Sequence, residues 1–231
     1  MSPIAEFTGS LVDLVLPRRC AGCGNPGPAL CSGCRPGGDP VPLGGAGVPV
    51  VAAGAYEDAL RRAVLAYKER GRRDLARPLG ELLADAVAGV VGVVGAARPP
   101  PDLTVIPVPS SRAARAARGG DHLEPLARRA ARRCGLRVGP AALSLVRRPA
   151  DSAGLTVAAR AANLDGAMRA APAPTGSIAL VVDDVVTTGA TLREAIRALR
   201  AGGWAVSGAA TVAATPRRHG RGALVPLAAP R

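Results

Sequence analysis

The chain reads as an α/β protein, a parallel sheet flanked by helices, with a small amino-terminal four-cysteine module. Three observations lead there. From Val48 onward, short apolar runs alternate with amphipathic stretches, as strands joined by crossover helices do. The run Ile178-Ala179-Leu180-Val181-Val182 lacks polar alternation, as expected of a strand covered on both faces. Two Cys-x-x-Cys pairs stand close together near the start, at Cys20/Cys23 and Cys31/Cys34.

The elements follow in order. Residues 11–16 form a short amphipathic segment ended by Pro17. Residues 35–49 are rich in Gly and Pro and read as a linker, with a boundary near residue 46. A strand is expected over 48–55. A helix follows over 57–70, with Leu60, Val64 and Tyr67 on one face and Gly71 as its stop. A second helix spans 75–91. A Pro-rich loop over 96–102 precedes a strand over 103–108, ended by Pro109. A Ser- and Arg-rich loop comes next. The helix over 121–134 places Leu123, Leu126, Ala127, Ala130 and Cys134 on one apolar face, so Cys134 is expected to be buried and inert. Strands over 141–146, 178–182 and 204–214 alternate with helices over 156–164 and 191–201. The last helix carries Leu192, Ala195, Ile196 and Leu199 on one side. The Arg-, Gly- and Pro-rich end is expected to be loose. The organisation is therefore a module with its linker over 1–46, an α/β domain over 47–215 and a basic tail over 216–231.

Composition narrows the classes of function. The 231 residues suit one compact domain plus a small module. Hydrophobic residues make up 48% but aromatics only 2%, so Val, Ala and Leu must fill the core. The longest apolar stretch, 84–97, is broken by Asp85 and glycines and is too short to span a bilayer. The first residues include Glu6 and Asp13 and no basic leader. A cytoplasmic protein without membrane insertion is expected. The net charge of +13 suggests an anionic partner, either nucleic acid or a phosphate ligand. Its basic residues are almost all arginine and are scattered over several helices and both ends, which is the mark of a general bias. Lys68 is the only lysine in the chain. A compact ammonium differs from a planar guanidinium, and some phosphate sites need the former.

Cys20-Ala21-Gly22-Cys23 and Cys31-Ser32-Gly33-Cys34 are two thiolate pairs on short turns. In a reducing compartment such pairs suggest zinc rather than disulfides. Four protein ligands close a tetrahedral site, so the metal would be structural, with no position for a reactive water. The spacing between the pairs makes this a minimal zinc loop; a redox pair or a former zinc site is the alternative.

The segment Asp183-Asp184-Val185-Val186-Thr187-Thr188-Gly189-Ala190-Thr191 follows the central strand and opens a helix. Amides at a helix start converge on a phosphate, aided by the helix dipole. Thr187, Thr188 and Thr191 add hydroxyls, and Gly189 allows close approach of the backbone. Asp183 and Asp184 can accept from two sugar hydroxyls or hold Mg²⁺, directly or through water. Two acids beside a phosphate cup would repel a bare polyphosphate, but they suit a ligand in which a ribose separates phosphate from acids. The Gly-Lys-Thr ending of a P-loop and the G-x-G-x-x-G of a dinucleotide fold are absent from this segment. A plain strand–turn–helix with capping Asp and Thr does not need this combination.

This segment resembles the phosphoribosyl-pyrophosphate signature of type I phosphoribosyltransferases. The resemblance implies that Asp183 and Asp184 hold the ribose hydroxyls. It implies that Val186, Thr187, Thr188, Gly189, Ala190 and Thr191 hold the 5′-phosphate. More of the chain is similar to the ComF family, which includes competence and GntX-like proteins. The similarity lies in Tyr67-Lys68-Glu69-Arg70-Gly71, in Pro107-Val108-Pro109 with Arg112, in Arg118-Gly119 and in the four cysteines ahead of the domain. Where that family often has Arg-Gly-Phe-Asn-Gln, this chain has Arg118-Gly119-Gly120-Asp121-His122. Ser152 takes the place of a Gln, while Leu155, Arg160 and Asn163 are retained. His122 reads as a surface residue at a helix start.

By the same resemblance Ser110, Ser111 and Arg112 donate to a pyrophosphate and Arg118 closes over it, with Arg115 either joining them or, as its place suggests, belonging to a solvated basic loop. Lys68 and Arg112 join Asp183 and Asp184 as catalytic candidates. Mg²⁺ accompanies phosphoribosyl pyrophosphate, and Cys20, Cys23, Cys31 and Cys34 hold structural zinc. The implied activity is phosphoribosyl transfer to an acceptor that the sequence does not identify, linked by family to DNA uptake in competence. The alternative is a protein without turnover, either a single-stranded-DNA-binding competence factor with competence-protein partners or a phosphoribosyl-pyrophosphate sensor. Against DNA, one Trp, two Tyr and one Phe leave little for base stacking.

Overall fold

The computed structural model describes residues 18–37, 39–43, 47–95, 99–147 and 164–216. A six-stranded sheet runs in the order β1 (Val41–Leu43), β2 (Val50–Ala52), β8 (Ala205–Ala214), β7 (Ile178–Val186), β3 (Leu103–Pro107), β4 (Arg137–Val138). β1 is antiparallel to β2, and all other pairings in this sheet are parallel. Five α-helices accompany it among the described residues: α1 (Asp58–Glu69), α2 (Ala76–Val93), α3 (Arg112–Arg118), α4 (Leu123–Arg133) and α5 (Ala190–Ala201). The α/β class and the parallel sheet flanked by helices are as the sequence predicts.

β7 lies at the centre. Ala179, Leu180, Val181 and Val182 are each 0% exposed, so both faces of the strand are covered. α2 packs on β8 and β2 and against α4, sending Leu79, Leu83, Val87 and Val90 into the core. α5 packs on β7 and β8 through Leu192, Ile196 and Leu199. Each such leucine or isoleucine stabilises by roughly 1.5–3 kcal/mol relative to an exposed one. No helix among the described residues is long and apolar enough to cross a membrane.

Four differences from the sequence reading have physical causes. β7 runs on to Val186, four residues further than the apolar run. Its partner β8 is long enough to pair with it there, with Asp183 opposite Thr211 and Val186 opposite Ala214. Pairing with β3 stops at Val182, so the two acids pass the end of one neighbour while still bound to the other. Val41–Leu43, read as linker by composition, forms β1; an edge strand tolerates Pro42 because it needs donors on one side only. Leu143–Leu145 leaves the main sheet and pairs antiparallel with β6 (Met168–Ala170). This β5–β6 hairpin is tied to α5 by Glu194, whose carboxylate accepts from Met168 N at 2.8 Å and is held by Arg197 at 2.6 and 2.8 Å.

Finally, the Ser- and Arg-rich loop contains α3. Ser111 caps it by accepting from Ala114 N at 3.1 Å, and its alanines favour helix. The helix expected over 156–164, with Arg160 and Asn163, lies outside the described residues apart from Leu164. Ser152, Leu155, the 11–16 segment and residues 217–231 lie outside them as well. Cys134 is half-buried; its Sγ donates to Ala84 O at 3.4 Å, and burial pushes the thiol up.

Candidate functional site

The β7–α5 connection supplies one half of the site. Gly189 sits at φ 75°, a left-handed conformation that glycine adopts freely, and starts α5 from there. The first turn of a helix leaves its amides without intrahelical partners. Ala190 N turns back onto Thr188 Oγ1 at 3.3 Å. Arg193 braces the loop by donating to Thr188 O at 3.0 Å. Thr187 is exposed, and Thr188 and Thr191 are half-buried. The six residues Val186 to Thr191 are therefore together at one helix start, at the carboxyl end of the central strand.

The acid pair is held unequally. Asp184 is 5% exposed. Its Oδ2 accepts from Lys68 Nζ at 2.8 Å and from His122 Nε2 at 2.6 Å. Asp183 Oδ1 accepts from Asp184 N at 2.8 Å. Burial and the neighbouring Asp184 charge raise the Asp183 carboxyl far above the usual carboxylate range. Burial also works to raise Asp184, but the His122 hydrogen bond and the Lys68 charge outweigh it and hold that carboxyl low. The two adjacent acids, Asp183 half-buried and Asp184 buried, thus divide into one readily protonated and one anionic member. For Lys68, burial opposes the charge and Asp184 restores it, for a net upward shift.

His122 is therefore not the surface residue its position at a helix start suggested. Its side chain is 12% exposed and reaches the acid pair. Tyr67 OH donates to the main-chain oxygen of His122 at 2.8 Å. Consecutive residues of α1 thus grip the two partners of one contact, Tyr67 on His122 and Lys68 on Asp184. Arg73, one residue before Asp74, donates to Arg118 O at 2.9 Å and to Gly119 O at 3.2 Å, fixing the turn that leads to His122. The only signal for His122 in the sequence is its place three residues after the Arg118-Gly119 pair.

Two cavities among the described residues hold residues expected to meet a pyrophosphate. Lys68 and Arg118 line a cavity of about 220 Å³ with Tyr67, Arg73 and His122. Arg118 Nε and His122 Nδ1 are buried without a hydrogen-bond partner there. Ser110, Ser111, Arg112 and Arg115 line a separate cavity of about 790 Å³, whose far wall includes Leu143, Leu145 and Arg147 around the β5–β6 hairpin. Arg112 and Arg115 are exposed, and the Ser111 oxygen caps α3.

The four cysteines come together as the spacing predicts. The Sγ atoms of Cys20, Cys23, Cys31 and Cys34 lie within 4.8 Å of one another. Cys20 Sγ accepts from Gly22 N at 3.3 Å and Cys31 N at 3.4 Å. Burial resists ionisation of Cys20, but these backbone donors prevail and lower it to about 6; burial and the neighbouring thiols push Cys34 up. Four sulfur donors at this separation, one already supported as thiolate, can hold a structural metal such as zinc. The cluster rests on α1. A Cβ at Gly22 would stand 2.7 Å from Cys34 Sγ and 2.9 Å from Ala59 Cβ, so only glycine permits the contact. Arg62 Nε donates to Gly22 O at 2.6 Å, and Arg72 to Arg19 O at 2.9 Å.

Comparison with known proteins bears on the second half of the chain. Residues 124–223 match the family model described as the phosphoribosyl transferase domain. The match starts in α4, takes in β7, the acid pair and α5, and leaves Lys68, His122 and the cysteines ahead of it. No curated protein matches the chain. What residues 124–223 share with the phosphoribosyl transferase domain therefore includes the strand–loop–helix with its two acids and helix-start loop.

Proposed function

We propose that the chain binds phosphoribosyl pyrophosphate with Mg²⁺ and transfers its 5-phosphoribosyl group to an acceptor. The observation that carries this is the union of Asp183 and Asp184 with the amides that open α5. The 5′-phosphate lies against Val186 to Thr191, where helix-start amides and threonine hydroxyls favour a dianion. The ribose hydroxyls meet the acids. Asp184 offers an anionic acceptor, and Asp183, readily protonated, can donate as well as accept. The nucleophile forms a bond to the anomeric carbon while the bond from that carbon to the pyrophosphate oxygen breaks, and pyrophosphate leaves with the electron pair.

Charge grows on the leaving oxygens, and basic groups fixed beside them lower the barrier. In this reading Lys68, Arg118 and Arg73, which line the smaller cavity, take that part. Arg112 with Ser110 and Ser111 faces the larger cavity, which leaves it for the acceptor side or the far phosphate. Bound Mg²⁺ supplies further charge neutralisation on the pyrophosphate. Because Lys68 and His122 occupy Asp184 Oδ2, the residues present fit a metal that arrives with the ligand. Zinc in the cysteine cluster is structural in this reading.

The test is an assay of pyrophosphate release with phosphoribosyl pyrophosphate, Mg²⁺ and a panel of nucleophiles including bases, amines and water. Release that needs an acceptor supports transfer; tight binding with no release for any nucleophile would point to a sensor. The charge of +13 favours one second reading, a role on single-stranded DNA in competence, as the ComF resemblance implies. Retention of single strands that falls steeply with salt and is weakened in Arg112→Ala/Arg118→Ala would support it.

A further inference from the structure

We propose that His122 is a positioning residue for the acid pair, holding one oxygen of Asp184 so that the carboxylate presents its other oxygen to the ribose. This rests on the phosphoribosyl reading above and adds to it a residue from outside the strand–loop–helix. Four observations carry it. His122 Nε2 and Lys68 Nζ converge on the same atom, Asp184 Oδ2, at 2.6 and 2.8 Å. Two donors on one oxygen fix the plane of the carboxylate, which would otherwise rotate about its terminal torsion. His122 is itself fixed, its main-chain oxygen by Tyr67 OH at 2.8 Å and the turn before it by Arg73. Its Nδ1 is buried without a partner.

That last point selects the tautomer. A buried N–H with no acceptor is costly, so the hydrogen belongs on Nε2, where Asp184 receives it. The arrangement then has one sense, with His122 donating and Asp184 accepting. Lys68 alone does not substitute. An ammonium on a flexible stem attracts a carboxylate without orienting its plane, whereas an imidazole in a buried slot has one direction of donation. A ribose diol needs acceptors at set positions, and a carboxylate turned out of plane loses one of them.

The experiment compares wild type, His122→Leu and His122→Gln by calorimetric titration with phosphoribosyl pyrophosphate and Mg²⁺, alongside thermal unfolding. Leu matches the bulk without a donor; Gln restores an N–H near the reach of Nε2. The expected result is binding weakened at least about tenfold in His122→Leu, the scale of a lost hydrogen bond to a charged group, and largely recovered in His122→Gln. A merely structural histidine would leave Gln no better than Leu, and that outcome overturns the proposal, as does equal binding by wild type and His122→Leu. If wild type itself does not bind, the phosphoribosyl reading has failed with it, which is a distinct result. Should His122→Leu not fold, ¹⁵N-histidine spectra of the wild-type chain decide instead. A hydrogen on Nε2, with that nitrogen shifting on addition of ligand, supports the role. A hydrogen on Nδ1, or an Nε2 indifferent to ligand, overturns it.

Discussion

The site has two halves of different construction. The strand–loop–helix from Ile178 to Ala201 is continuous, so neighbours in the chain are neighbours in the site. The clamp on Asp184 is assembled from the end of α1 and the turn before α4. Its contacts join residues 55 and 62 positions apart, Tyr67 to His122 and His122 to Asp184. The continuous half depends mainly on backbone geometry, and it is tied down by the core strand beneath it. The assembled half depends on how α1 is docked, and α1 leans on the cysteine cluster through Gly22 and Arg62. Perturbing α1 should therefore damage the clamp and spare the cup.

Replacing Lys68 is the harshest way to break that difference. In Lys68→Met the buried Asp184 charge keeps only His122, and losing one partner of a buried pair costs up to about 3–5 kcal/mol when no other remains. Affinity for phosphoribosyl pyrophosphate in calorimetry should fall by about 10–100-fold, with a lowered Tm. Inorganic phosphate binding at the cup, followed by NMR at the Thr187–Thr191 amides, should change little. Equal loss of both would show that the halves are not separable.

Depriving the cysteines of the metal they can hold is a milder test. After chelation or in Cys23→Ser, amide exchange in α1 should quicken while amides of β7 and α5 keep their protection. Affinity for the full ligand should drop several-fold through Lys68 and Tyr67. Unchanged exchange in α1 would mean that the cluster does not support the helix.

The legibility of the molecule in its sequence follows the same division. Asp183-Asp184 with Thr187-Thr188-Gly189 announces the cup because its chemistry and spacing lie in one stretch. The cysteines are legible for the same reason, since two tight turns suffice to bring four sulfurs together. The apolar run at Ile178 marks the central strand, yet its continuation to Val186 is decided by the length of β8, a partner not visible locally. Ser111, expected to donate to a ligand, also caps α3 by accepting from Ala114 N, a second use of the hydroxyl that the sequence does not announce. His122 looked exposed because a histidine at a helix start usually is; its burial comes from Tyr67 and Asp184, far away in the chain. Lys68 stands out in the sequence only because the other basic residues are almost all arginine.

The smallest expected effect lies at the outer support of the cysteine module. Arg35, Arg77 and Arg129 meet on Glu81. The Arg35 hydrogen bond chiefly, against the opposing effect of burial and with help from Arg129 and Arg77, lowers Glu81 from 4.5 to about 2. A depressed carboxyl stabilises the fold fully above its unfolded value and loses that contribution as pH falls toward its folded value. Unfolding measured between pH 5 and 2 should show a loss on the order of 1 kcal/mol, given the exposure of the arginines. That loss should be absent in Glu81→Gln. An identical acid profile for both proteins would discount this contact.

The most direct measurement is calorimetry of phosphoribosyl pyrophosphate with Mg²⁺ on wild type and on Asp183→Asn/Asp184→Asn. The account predicts saturable, stoichiometric binding to wild type and a loss of at least about 100-fold in the double variant, one charge-assisted and one neutral ribose contact being removed at once. Undiminished affinity in the double variant, or no binding to wild type, would contradict it.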